Sequence, residues 1–77
     1  MAFDLFSDVI LTTDVPAEDL RAGDVGTVVE HHAPDGYSVE FFDMTGQTIT
    51  VATLPASALR LPTQADRPAV RALAGAA

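Results

Sequence analysis

Leu20-Arg21-Ala22-Gly23-Asp24-Val25-Gly26-Thr27-Val28-Val29-Glu30 runs from a glycine turn straight into a strand, with no spacer between them. Glycine at position 23 permits positive φ without steric cost, and a carboxylate at Asp24 is placed to bond the amides of its own turn. From Val25 to Val29, four of five residues are β-branched and suit a pleated, half-buried strand. Gly26 interrupts that run. A glycine inside a strand marks a bulge or a close crossing of another backbone. The stretch predicts a tightly bent strand of a very small barrel, and it carries no catalytic group.

The flanking sequence extends this pattern in both directions. Asp8-Val9-Ile10-Leu11-Thr12-Thr13 reads as a first strand, ended by Asp14 and Pro16. Pro16 offers no ladder donor, so residues 14–23 are expected to form a loop. Ala17 to Leu20 suits one helical turn there, with Leu20 anchored in the core. The second strand spans residues 25–32, and Ala33-Pro34-Asp35-Gly36 is a turn. Residues 37–42 form the third strand, Asp43-Met44-Thr45-Gly46 reverses the chain, and residues 47–54 form the fourth. Pro55 to Leu59 fits a single 3₁₀ turn, followed by a short closing strand at Arg60-Leu61 that Pro62 stops. The expected fold class is all-β: a five-stranded barrel over residues 1–62. Residues 63–77 form an Ala-rich tail, either a short frayed helix capped by Asp66 or a disordered segment.

Length and charge bound the function. Seventy-seven residues make one domain with a small core, for which self-association is an obvious way to add buried area. The absence of cysteine excludes disulfides and thiolate chemistry and fits a cytoplasmic setting. The N-terminal residues lack the pattern of a signal peptide, and no apolar run approaches membrane-spanning length. Residues 1–60 hold ten acids against Arg21 and Arg60, a formal charge of −8. Such a surface repels phosphate backbones, so direct nucleic-acid binding is not expected, whereas a basic protein partner is compatible with it.

Alternation places Tyr37, Val39 and Phe41 on the core face of the third strand and Ser38, Glu40 and Phe42 on the other. Phe42 is then a large apolar group on the outer side. Ile49 and Val51 likewise lie on the opposite face from Ala52 and Leu54. Either tight coiling draws both faces into the core, or an outer apolar strip around Phe42 packs against a second copy in a homodimer.

The candidate chemistry is sparse. His31 and His32 point to opposite faces and cannot easily share a metal ion, which leaves them as exposed histidines at a hairpin end. Glu30 and Glu40, if opposed across the hairpin, mark a solvated face rather than an acid–base pair. Ser57 has no histidine partner nearby in sequence. Asp14, Glu18 and Asp19 gather in the long loop, where they suit the capping of a helical turn better than calcium. No catalytic residue, cofactor or metal site is expected.

The order Asp8-Val9-Ile10-Leu11, Asp14-Val15-Pro16, residues 20–29, Tyr37-Ser38-Val39-Glu40-Phe41 and Thr53-Leu54-Pro55 resembles a bacterial family of small SH3-like proteins of unknown function. The resemblance covers approximately residues 3–62 and is most specific in the Gly-Asp-Val-Gly-Thr-Val-Val run and the Val-Glu-Phe strand. The Gly-Asp-x-Gly turn is also similar to the KOW motif of ribosomal and transcription-elongation proteins, although the basic residues that would accompany RNA binding are missing. The family implies a fold and no catalytic residues. SH3-like barrels commonly bind through the loop after the first strand and the neighbouring hairpin, so the leading expectation is a non-enzymatic interaction module or accessory subunit whose acidic loop meets a basic partner. Partner contacts are accordingly expected at Asp14, Glu18, Asp19, Tyr37 and Phe42. The alternative is an acidic inhibitor or antitoxin-like protein whose carboxylates imitate nucleic-acid phosphates.

Overall fold

In the computed structural model, which describes residues 2–72, five strands form one antiparallel sheet in the order β4-β3-β2-β1-β5. The strands are β1 (Asp8–Leu11), β2 (Val25–His32), β3 (Gly36–Phe42), β4 (Thr48–Pro55) and β5 (Leu59–Arg60). A 3₁₀ turn at Pro16–Glu18 lies between β1 and β2, and a second at Ala56–Ala58 leads into β5. This order is consistent with a small SH3-like barrel. Among the described residues, no helix is long and apolar enough to cross a membrane.

The register explains the inner face. Val9 pairs with Gly26, Val28 with Val39, His31 with Tyr37, and Val39 with Ala52. Val9, Leu11, Val28, Tyr37 and Val39 are the largest fully enclosed side chains, joined in one core by Phe3, Leu20, Phe41, Leu54 and Leu59. Each such side chain contributes roughly 1.5–3 kcal/mol when fully removed from water. Ala52 and Leu54 face inward as well, while Val51 is exposed, so alternation holds in β4.

Gly26 sits at the tightest point. A Cβ there would lie 2.6 Å from Val39 Cγ1, 2.9 Å from the Glu40 carbonyl oxygen and 2.9 Å from Phe41 Cε1. The close backbone crossing is therefore real. The β2 bulge falls a few residues further on, where the register shifts between Val28 and Glu30. Gly23 adopts φ +97° in the preceding turn. Asp24 Oδ2 accepts the Arg21 amide at 2.9 Å, and the Asp24 amide donates to the Arg21 carbonyl at 3.0 Å.

The N-terminal segment closes one end of the core. The Tyr37 hydroxyl accepts hydrogen bonds from the amides of Ala2 (2.8 Å) and Phe3 (3.3 Å). The Phe3 ring meets Tyr37 edge to face at 5.2 Å. His31 Nε2 lies 2.7 Å from the Phe3 carbonyl, which can only accept, so this nitrogen carries the hydrogen. The two histidines do point to opposite faces, but neither is a freely exposed hairpin-end residue. Both are half-buried, His31 against Tyr37 and His32 with Nε2 at 2.7 Å from Ser38 Oγ. That contact also covers Ser38, which lies on the outer face of β3 yet is buried. Glu30 and Glu40 are not opposed: Glu30 pairs with Ser38, and Glu40 with Thr27.

Several boundaries differ slightly from expectation. The first strand stops at Leu11 because the Thr12 amide and hydroxyl turn to the carbonyls of Ala58 and Ser57. Residues 61–72, the arm, form no helix among the described residues. Asp66 does not cap a helix. Its carboxylate closes a turn on the Thr63 amide (2.6 Å) and forms a two-pronged pair with Arg60 (2.7 and 2.9 Å). Residues 73–77 of the expected tail lie outside the described residues.

Candidate functional site

The loop after β1 is ordered by its own chain. Val15 and Leu20 exchange backbone hydrogen bonds at 2.9 and 3.1 Å, closing a tight excursion around the Pro16–Glu18 turn. Asp19 ends that turn in the left-handed region, φ 54°. Buried Leu20 then pins the loop to the core, as its position between two polar stretches predicts.

The three loop carboxylates do not act as one cluster. Asp14 Oδ1 accepts the Ala22 amide at 2.9 Å, tying the two ends of the loop together. Glu18 reaches across to β4 and accepts the Thr50 hydroxyl at 2.9 Å. Asp19 contributes through its backbone: its carbonyl accepts Arg71 Nη2 at 2.9 Å. Among the described residues, no three His, Asp or Glu side chains are placed to hold a metal ion.

Asp24 is the acidic residue that the expected set omits. The Arg71 guanidinium lies in a fork against it, Nη2 to Oδ2 at 2.6 Å and Nε to Oδ1 at 3.2 Å. Both side chains are about a quarter exposed, so the pair is only partly screened by solvent. The Asp24 hydrogen bond, aided by the charges of Asp24, Asp19 and Asp14, holds the Arg71 proton more firmly than usual. The seat thus comprises a carboxylate, a backbone carbonyl and a surrounding negative field. In sequence, Asp24 reads as a turn residue and Arg71 as part of a tail. The available signal was distributional: two of the four arginines of an acidic chain fall within its last eleven residues.

Tyr37 and Phe42 diverge. Tyr37 is 1% exposed and fully engaged with the N-terminal segment, so it offers no surface to a partner. Its place on the core face of β3 decides this. Phe42, 42% exposed, lies at the end of β3, where the register shifts against β4. It borders a groove of about 850 Å³ between the barrel and the arm, lined by Ile10, Val25, Met44 and Ile49 and bridged by residues 66–72. A smaller hollow of about 160 Å³ is lined by the Arg21–Asp24 turn together with Ala69, Val70 and Arg71. The structure therefore brings together the turn at Asp24, the arm and the Phe42 groove, and leaves Tyr37 inside.

No curated protein and no solved structure matches the chain. A family model does match, over residues 5–61, which span all five strands and end where the arm begins. The chain belongs to the family described as Domain of unknown function (DUF4926).

Proposed function

We propose that this domain is a non-enzymatic protein-interaction module, an SH3-like barrel whose acidic loop receives an arginine-bearing segment of a basic partner. The observation that carries this reading is the Arg71 guanidinium, forked on Asp24 and bonded to the Asp19 carbonyl. Arginine suits such a seat better than lysine, because its planar fork meets a carboxylate and a carbonyl at once. The formal charge of −8 over residues 1–60 steers a basic partner toward the barrel and discriminates against acidic ones. Asp14 ties the loop and, with Asp19, adds its charge to the field on Arg71, while Glu18 anchors the loop to β4.

The test uses a labelled arginine-containing peptide and its lysine counterpart. Replacing Asp14→Asn, Glu18→Gln and Asp19→Asn together, with folding checked by circular dichroism, weakens arginine-peptide capture by roughly tenfold, in line with partly screened charge pairs. Undiminished capture removes the loop from the mechanism. Adding duplex DNA to a complex with a basic DNA-binding partner separates this module from a phosphate mimic, since only a mimic competes with the duplex.

A second reading concerns self-association, favoured by the partly exposed Phe42 beside exposed Val25 and Met44. In a homodimer built on that strip, Phe42→Glu yields a monomer in sedimentation. A wild-type chain that sediments as a monomer at high concentration ends this reading.

A further inference from the structure

The arm is attached at two points and is nearly free of packing between them. Its near end is fixed by Arg60 on Asp66, and its far end by Arg71 on Asp24 and the Asp19 carbonyl. Between these pins Val70, the largest aliphatic group of the span, remains 77% exposed. Arg67, Pro68 and Ala69 are exposed as well. Beneath them runs the groove of about 850 Å³, with Ile10, Val25, Phe42, Met44 and Ile49 along its barrel side. That volume lies within the range of sites that enclose a ligand. The arm spans the groove without filling it. Its hold comes from charge rather than buried area, and a segment held this way sits at the low-stability end of a fold.

We propose that residues 61–72 form an autoinhibitory strap: Arg71 occupies the guanidinium seat of the acidic loop, and a partner segment carrying an arginine next to bulky aliphatic residues displaces it. This rests on the reading of the acidic loop given above and adds the partner's pattern and its regulation. The strap itself supplies the pattern, an aliphatic residue followed by arginine at Val70-Arg71. The incoming segment repeats the guanidinium contact and adds apolar contacts to the exposed Val25 and Phe42 that the arm leaves in water. Charge complementarity selects the partner, and the groove sets its preference for large aliphatic neighbours. The strap covers the seat for most of the time and opens it transiently to a competing ligand. The apparent affinity for the partner is then lowered by the fraction of time the strap is closed.

The experiment titrates ¹⁵N-labelled full-length chain with two synthetic peptides, followed by amide shifts to millimolar peptide. One peptide copies residues 65–72, and the other replaces the equivalents of Ala69 and Val70 with leucine. The wild type, Arg71→Gln and Arg71→Gln/Asp24→Asn are compared, the undisturbed spectrum of β1–β4 confirming the fold of each. The Arg71→Gln chain binds either peptide roughly three- to fivefold more tightly than the wild type, the gain expected from removing a partly exposed competing ion pair. The leucine peptide binds more tightly than the copy, with shifts at Ile10, Val25 and Phe42, and Asp24→Asn abolishes binding of both. Equal affinity for wild type and Arg71→Gln, with Asp24→Asn still abolishing binding, overturns the strap and leaves the loop as an arginine site. Binding of neither peptide to Arg71→Gln overturns both readings. Equal binding of the two peptides overturns the assignment of the groove.

Discussion

In the barrel, Val9, Leu11, Val28, Tyr37 and Val39 are almost wholly enclosed, whereas in the arm the two sizeable described aliphatic groups, Leu61 and Val70, face water. The two regions also use charge differently. Barrel carboxylates such as Asp14 and Asp43 mainly accept hydrogen bonds from nearby turn groups. The arm's Asp66 and Arg71 form ion pairs, and Arg71 reaches a carboxylate 47 positions away. One region is built by removing apolar surface from water, the other by pairing opposite charges at the surface. The first kind of contact is strong and cooperative. The second is weak and sensitive to salt and pH.

This contrast breaks most sharply at Gly26. Gly26→Ala places a methyl group against Val39, Phe41 and the Glu40 carbonyl, and the last belongs to a paired strand that cannot withdraw cheaply. The expected loss is about 2–3 kcal/mol. For a domain of this size that is a fall in Tm of roughly 10–20 °C by calorimetry. A variant melting within a degree or two of the parent contradicts the close crossing. An intermediate effect is expected at Tyr37. Tyr37→Phe keeps the ring in the core but leaves the Ala2 and Phe3 amides without their acceptor. It costs about 1 kcal/mol and speeds hydrogen exchange at the N-terminal segment more than in β3.

The smallest effect, and the one that isolates the arm, comes from acid. Arg60 and the Thr63 amide hold the Asp66 carboxyl far below its ordinary range. Because the folded value is depressed, the pairing is complete above about pH 4, where the unfolded carboxyl is also ionised. Its contribution is lost as pH falls through the lowered value. The arm's amide shifts should therefore titrate on the acid side of the usual aspartate range, and Asp66→Asn should remove that transition while leaving the melting of the barrel nearly unchanged. A titration centred at the ordinary aspartate value would falsify the pairing.

Most of the barrel was legible in the sequence because its determinants are local. The Gly23-Asp24 turn, the β-branched run and the alternation of Tyr37, Val39 and Phe41 each encode their geometry within a few residues, and the second strand falls at 25–32 as its pattern implies. The site was less legible because its determinants are distant. Nothing near Asp24 announces Arg71, and nothing near Glu18 announces Thr50, 32 positions away. Asp14, Glu18 and Asp19 share a loop, yet the carboxylates of Asp14 and Glu18 turn to different partners and Asp19 meets Arg71 through its backbone carbonyl. Tyr37 was claimed by two expectations at once, a core face and a contact surface, and the N-terminal segment decides between them by placing two amides on its hydroxyl. Ser38 evades the alternation rule because a neighbouring imidazole, not the sheet, covers it.

The hydroxyl at the closed end of the core has a practical use. Tyr37 is the sole tyrosine of a chain without tryptophan, so the near-ultraviolet emission of the protein arises almost entirely from one phenol. That phenol is wedged between Phe3 and His31. The molecule thus carries its own optical gauge, one that registers whether the first residues are seated and is indifferent to what happens at the opposite, arginine-bearing end.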